Sequence, residues 1–245
     1  MRPDVLRRLA GKAFVFSLLL LFLGNAHANT ETINWVEAAS NALTPARVST
    51  ASVVFQNKLW IFGGCTATGE YLSDVWYSSN GSTWYKATDN APWGSRGGDQ
   101  TALVFDDKIW IMGGSLISNS PSYTGKANDV WYSSDGVNWS LATASAAWGK
   151  RYAHTSLVFD NKMWVIGGGS NGGGWLNDVW YSTDGMVWLP ATHSAAWSPR
   201  YLHASLVYDN KMWVIGGNSQ GQTMKDVWYS SDGSTWHRAT NNAPW

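Results

Sequence analysis

The sequence is poor in charge and nearly free of thiols. Charged residues make up 14% of 245, and 17 Lys+Arg balance 17 Asp+Glu. A nucleic-acid binder ordinarily carries a basic excess to neutralise phosphates, so that class is disfavoured. A single cysteine, Cys65, excludes an internal disulfide framework and any Cys-based zinc site. Beside a glycine pair, it reads as a small buried apolar residue. No G-x-S-x-G, H-E-x-x-H or phosphate-binding loop occurs, so neither a metal nor a cofactor is expected. The apolar run Ala13–Leu23 falls short of the ~20 residues a helix needs to cross a bilayer. What the chain does hold is 44% hydrophobic residues, 25 Gly and 18 Trp. That composition excludes a disordered chain and poses the question of where so many indoles go.

The first residues read as an address. Arg2, Arg7, Arg8 and Lys12 precede the apolar run, and Ala26-His27-Ala28 follows it. This is the three-part pattern of a secretory signal peptide, with cleavage expected after Ala28. An uncleaved N-terminal anchor is the alternative. Removing residues 1–28 takes away four basic groups and one acid, Asp4, and leaves a mild acidic excess. The expectation is an exported protein, periplasmic or extracellular, with no stable membrane insertion after cleavage.

The remainder, 29–245, is one unit repeated. Glycine pairs stand at Gly63-Gly64, Gly113-Gly114, Gly167-Gly168 and Gly216-Gly217, each ending an apolar run. After a variable stretch, D-V-W-Y-S recurs from Asp74, Asp129, Asp178 and Asp226. Repeats of about 50 residues span roughly 47–93, 96–148, 151–197 and 200–245. Each divides into strands A to D. Two-residue Asn/Asp-rich turns such as Asp160-Asn161 predict a type I′ hairpin between A and B. Asn80-Gly81, Asp135-Gly136, Asp184-Gly185 and Asp232-Gly233 predict another between C and D. Four antiparallel strands per repeat, apolar throughout and without helices, predict an all-β protein built as a β-propeller. A solenoid of hairpins is the structural alternative.

At these residues the chain resembles the kelch family, from Trp35 to Trp245. The resemblance rests on the glycine pair, the Tyr and Trp at fixed spacing after it, and the Arg opening each repeat. The S-x-D-G-x-x-W turns also resemble the Asp-box hairpins of sialidases, one residue short, a structural motif that implies no glycosidase. Seventeen Trp fall at repeat-equivalent positions, and Trp175 stands unassigned. Trp35 matches a strand D with no A, B or C before it, giving five D strands to four A-B-C sets. Two readings stay open: a piece of a larger propeller, or four blades with one strand to spare. An assembly of chains could also complete a ring.

Loops B–C and D–A should share one face of the disc, and the B–C stretches vary most: Cys65–Ser73, Ser115–Asn128, Gly169–Asn177 and Asn218–Lys225. Recognition usually lives on such loops, and the kelch resemblance implies the same face. The candidate ligand-binding residues are therefore Tyr123 and Trp175 in B–C loops. In the D–A loops they are Arg96, Arg151 and Arg200, with Arg47 equivalent, and Trp148 and Trp197. His154 and His203 follow their Arg by three residues, with Thr50 and Asp99 at that offset elsewhere. An Arg fork suits a carboxylate, an indole can stack on a sugar, and a His pair can serve acid–base chemistry. Each also has an architectural reading: Arg on backbone carbonyls, Trp in packing, His bonded at a strand start. The Asp of D-V-W-Y-S reads as a cap on loop backbone.

The expected function is an interaction module for a protein or a glycan. The resemblance also implies an alternative, a sugar mutarotase or epimerase of the kelch type acting on an acidic sugar. A structural fragment of a larger surface protein is a third reading. Copper chemistry of the galactose-oxidase type would need a ligand cluster that the sequence around Cys65 does not supply.

Overall fold

A computed structural model describes residues 36–40, 45–117 and 124–245. Trp35, the leader pattern and Tyr123 lie outside the described residues. Val36 and Glu37 belong to a separate N-terminal unit, and the account below concerns Ala38–Trp245.

The described residues form strands and turns only, grouped into four blades. Blade 1 holds β1 (Arg47–Val48), β2 (Ala51–Phe55), β3 (Lys58–Thr66), β4 (Tyr71–Ser78) and β5 (Tyr85–Thr88). Blade 2 holds β6 (Thr101–Phe105), β7 (Lys108–Ile117), β8 (Thr124–Ser133) and β9 (Ser140–Thr143). Blade 3 holds β10 (Arg151–Tyr152), β11 (Thr155–Phe159), β12 (Lys162–Ser170), β13 (Trp175–Ser182) and β14 (Leu189–Thr192). Blade 4 holds β15 (Ala204–Tyr208), β16 (Lys211–Ile215), β17 (Asn218–Ser219), β18 (Gln222–Thr223), β19 (Val227–Ser230) and β20 (His237–Thr240). Within each blade the main strands pair antiparallel in chain order, A to B to C to D. Strands β2, β6, β11 and β15 also touch one another in succession, so strand A is the inner strand of each blade.

Turn chemistry decides these hairpins. The A–B turns put both residues at positive φ, as at Asp160 (49°) and Asn161 (52°), the type I′ geometry. In the C–D turns a serine and an aspartate replace backbone partners. Ser133 Oγ accepts the Gly136 N–H at 2.8 Å, and Asp135 Oδ1 accepts the Val137 and Asn138 N–H groups at 2.8 and 2.7 Å. The following Trp139 donates its indole N–H back to the Gly136 carbonyl at 3.2 Å. The strand-D Trp therefore close the turn and sit one residue ahead of the strand.

The B–C stretches are more regular than the sequence suggests. Strands B and C continue past the glycine pair, where the register shifts by a bulge, as between Ile166 and Gly168. A Cβ on Gly168 would lie 2.8 Å from the Tyr152 carbonyl, so the pair lets the D–A segment pass against strand B. What remains of the third B–C loop is only Asn171–Gly174.

Three apolar clusters lie between successive blades, one per interface. Phe55, Trp60 and Phe62 of blade 1 meet Ile109 and Ile111 of blade 2. Leu103, Trp110 and Met112 meet Met163 and Val165. Leu157, Phe159, Trp164 and Ile166 meet Met212 and Val214. The strand-B indoles Trp60, Trp110 and Trp164 each lie over a turn glycine of the next blade. A Cβ on Gly185 would fall 2.1 Å from the Trp110 ring, on a residue held at φ +74°. Gly185→Ala is therefore expected to cost about 1–3 kcal/mol through overpacking and backbone strain. Urea unfolding checks this, and an unchanged midpoint would contradict the knob-and-glycine contact.

Candidate functional site

The Arg that opens each repeat is scaffold in its bonding. Arg96, Arg151 and Arg200 are 0% exposed. Arg151 meets Asp178 in a two-pronged pair, Nη1 to Oδ1 at 2.9 Å and Nη2 to Oδ2 at 2.8 Å. It also donates to the Gly167 carbonyl at 2.9 Å and to the Trp148 carbonyl. Arg47–Asp74 and Arg200–Asp226 repeat the two-pronged pair, and Arg96 reaches Asp129 through Nη2 at 2.6 Å. The same Asp accepts the indole N–H of the D-V-W tryptophan, at 2.7 Å for Trp180. These Asp hold an Arg and a Trp, so the expected role of capping loop backbone is replaced. Burial raises the Asp226 carboxyl, but bonds from Arg200 and Trp228 outweigh it and hold the group low. No guanidinium face is left for a ligand.

Trp148 and Trp197 are buried too. Each stands edge-on to a neighbouring blade's turn indole, Trp188 at 6.0 Å and Trp236 at 5.8 Å between ring centres. His154 and His203 lie beneath the surface, with Nε2 bonded to the hydroxyls of Thr101 and Thr155 in the preceding blade at 3.1 and 2.9 Å. Repeat 2 carries an extra residue after its Arg. Gln100, not Asp99, therefore takes the histidine place and donates to the Phe62 carbonyl at 3.1 Å. Burial and the adjacent Arg200 drive the His203 imidazole down to about 3. Burial, Arg151 and His203 push His154 well below its ordinary value. Both rings are neutral struts at physiological pH.

Asp99 instead shares a phase with Ser49, Ala153 and Leu202. All four are held at positive φ, at 61°, 57°, 48° and 56°. The Ala153 N–H donates to the Asp99 carbonyl and the Leu202 N–H to the Ala153 carbonyl, each at 3.0 Å, which stitches adjacent blades. With their neighbours Thr50, Gln100, His154 and His203 they line a cavity of about 310 Å³ where the four inner strands begin. A groove of about 540 Å³ over blade 1 is larger, but its counterparts recur over blades 2 and 4, so it follows from the repeat.

Two further rings of repeat-equivalent positions rise on the same face. Three residues before each conserved-phase Asp stand Tyr71, Lys126, Trp175 and Thr223. Trp175 is therefore in register with the repeat after all, paired with Gly169 as Tyr71 pairs with Cys65 and Lys126 with Ser115. One residue after each Arg stand Val48, Gly97, Tyr152 and Tyr201. Aromatic contacts join the rings, Tyr152 to Tyr201 at 6.2 Å and Tyr201 to Trp175 at 5.8 Å between centres. The Lys126 ammonium sits 4.2 Å from the Tyr152 ring centre and donates to Ser115 Oγ at 3.0 Å. Burial raises the Asp99 carboxyl and the Lys126 charge partly opposes it. Burial, Cys65 and Asp99 together raise the Tyr71 phenol. All five side chains, Tyr71, Asp99, Lys126, Tyr152 and Trp175, are half-buried with part of each open to solvent. This mouth combines flat aromatic faces with one acid and one base. Its sequence signal was variation at two phases whose flanks barely change.

The fold and this bonding pattern define a kelch-repeat β-propeller, and the chain is a kelch-repeat protein. The family model for the Kelch motif matches residues 46–89, and that for the KLHDC2/KLHL20/DRC7 Kelch-repeats domain matches residues 134–244. The solved structure of YjhT is similar in fold, with a TM-score of 0.70 at 16% identity over 85% of this chain and 69% of that one. No curated protein matches the sequence. Among the described residues no group of three or more metal-ligating side chains occurs, and no helix is long and apolar enough to cross a membrane.

Proposed function

We propose that this chain is an exported kelch propeller that binds a glycan through the mouth on its B–C and D–A face. Kelch propellers are interaction modules in general; the glycan is the finer step. The observation that carries it is the convergence of Trp175, Tyr201 and Tyr152 with Lys126 and Asp99. Aromatic faces stack on sugar rings, while a carboxylate and an ammonium bind hydroxyls. The buried Arg and Trp of the D–A segments support this mouth from beneath, and His154 and His203 line the floor of its cavity. A protein ligand would use the same face. Export rests on the pattern in residues 1–28.

Glycan arrays followed by calorimetry test the reading. Trp175→Ala and Tyr201→Ala are each expected to weaken binding at least tenfold with little change in thermal stability, because both side chains are half exposed. Binding that survives both changes together would remove the mouth from the account.

The acid–base pair favours one second reading, anomer exchange of an acidic sugar. Lys126 would hold the sugar carboxylate, and Asp99, raised by burial, would take the anomeric hydroxyl proton as the ring oxygen gains one from water and the ring C–O bond breaks, the reverse transfers closing the ring on the other face. Mixing the protein with an unequilibrated acidic sugar and following the anomers by NMR decides this. Acceleration lost in Asp99→Asn supports it, and a rate equal to buffer rejects it.

A further inference from the structure

The sequence contains two Asn-Gly steps, Asn80-Gly81 and Asn171-Gly172. An asparagine followed by glycine is a chemically weak point of a protein chain. The next backbone nitrogen can attack the side-chain amide, and glycine has no Cβ to obstruct it. The fold treats the two steps differently.

Asn80 is locked into the C–D turn of blade 1. Its Oδ1 accepts the Ser82 and Thr83 N–H groups at 2.9 and 2.8 Å. The Gly81 N–H, on the nitrogen that would attack, donates to Ser78 Oγ at 2.8 Å. The other repeats carry Asp135, Asp184 and Asp232 at this place, with the same glycine-to-serine bond. Asn171 stands instead at the exposed tip of the third B–C loop. Its Oδ1 accepts the Lys126 N–H of blade 2 at 3.1 Å. The bonds around the tip belong to its neighbours. The Gly173 N–H donates to the Ser170 carbonyl at 3.3 Å, the Gly174 N–H to Ser170 Oγ at 3.1 Å and the Asn171 N–H to the Lys150 carbonyl at 3.3 Å. Among the described residues nothing accepts from the Gly172 N–H. The attacking nitrogen is thus unengaged, while the Lys126 N–H already points at the oxygen on which negative charge would develop. Asn80 has donors on its oxygen as well, so the state of the nucleophile separates the two steps.

We propose that Asn171 is a site of spontaneous modification in the folded protein, where it closes a succinimide with Gly172 and opens to aspartate or isoaspartate. The Gly172 nitrogen gives its proton to hydroxide and bonds to Cγ of Asn171. The bond from Cγ to Nδ2 breaks, and that nitrogen takes a proton from water and leaves as ammonia. Water then adds at one imide carbonyl. Opening at Cγ gives aspartate, and opening at the main-chain carbonyl gives isoaspartate, which lengthens the backbone by one carbon. Either product puts a carboxylate beside Lys126 at the rim of the mouth. The second also lengthens the loop that leads into Trp175.

Incubating the full chain in warm neutral buffer and mapping its peptides by mass spectrometry tests the proposal. Asn171 should convert at least tenfold faster than Asn80 while the protein is folded, and the two rates should come together in urea. Isoaspartate should accompany aspartate, since only the imide yields it. Gly172→Ala should slow the reaction at least tenfold without disturbing the fold. Gly172 lies outside the left-handed region, and a Cβ there meets nothing nearer than Ser170 Oγ at 4.0 Å. Equal rates at the two steps in the folded chain, no slowing in Gly172→Ala, or aspartate without isoaspartate would each overturn it. The effect on ligands rests on the glycan reading. Asn171→Asp should bind an acidic glycan about threefold more weakly than the wild type, the size of one exposed charge contact, and equal affinities overturn that effect. A mouth that takes up no glycan removes the glycan reading alone, because the mass measurement involves no ligand.

Discussion

Arg151→Ala is expected to lower the unfolding free energy by about 3–5 kcal/mol, the usual cost of stranding one member of a buried ion pair. The guanidinium is fully buried and neutralises Asp178 while bonding two carbonyls, those of Gly167 and Trp148. Its removal leaves the Asp178 carboxylate with only the Trp180 indole as a strong donor. Asp178→Asn should be nearly as damaging, because the Arg charge then lacks its counterpart. The double replacement Arg151→Met with Asp178→Leu should recover much of the loss, since neither charge is left unpaired. Denaturant unfolding of the wild type, Arg151→Met, Asp178→Leu and their double forms the cycle. If the single changes cost less than about 1 kcal/mol, the range of exposed pairs, the pairs are not the joints described here. The stake is large because the Arg backbone also joins blades. Arg151 pairs with Ala127 of blade 2 and with Ser170 of its own blade.

Acidification should destabilise the propeller well before its carboxylates titrate. The folded imidazole of His203 is pushed down to about 3 by burial and Arg200, and that of His154 well below its ordinary value, mainly by burial. An unfolded histidine protonates near 6.5. Between those limits the unfolded chain binds more protons than the folded one, so stability falls as pH falls. Stability from this source is complete above about pH 6.5 and is lost progressively towards about pH 3. His203 contributes about 2 kcal/mol of loss by pH 5, and His154 adds to it in the same direction. Gln100 occupies the same place in repeat 2 and bonds across the blade joint, so glutamine is a compatible replacement. His154→Gln with His203→Gln should flatten the pH 7 to pH 5 slope while leaving the pH 7 value within about 1–2 kcal/mol. Urea midpoints at the two pH values measure it. Equal slopes in variant and wild type would show that the rings titrate freely.

The repeat made the fold legible. Turn pairs such as Asp160-Asn161 and glycines such as Gly185 require particular backbone conformations, and four concordant copies multiply a weak local signal. The same regularity hid the site. Trp175 looked out of phase because strand C is longer than the motif D-V-W-Y-S, so its kinship with Tyr71 and Lys126 appears only once β13 is traced back to its first residue. Counting from the Arg puts Asp99 beside the histidines, but the glycine inserted after Arg96 shifts the phase by one. Only the φ values of Ser49, Asp99, Ala153 and Leu202 restore the alignment.

By itself, the sequence determined the blade. Hairpin turns, apolar strands and the Trp spacing act within about 50 residues of chain, and local backbone chemistry is enough to specify them. Partnership was decided by tertiary structure. Whether Arg151 meets a ligand or Asp178, 27 residues away, depends on which side of the sheet each falls and on the cost of burying either alone. Which polar and aromatic residues gather at the mouth depends on how the blades fan about the inner strands. Each blade carries both halves of its interfaces, and packing alone reveals which halves meet, as the Trp110 ring meets Gly185 of the next blade.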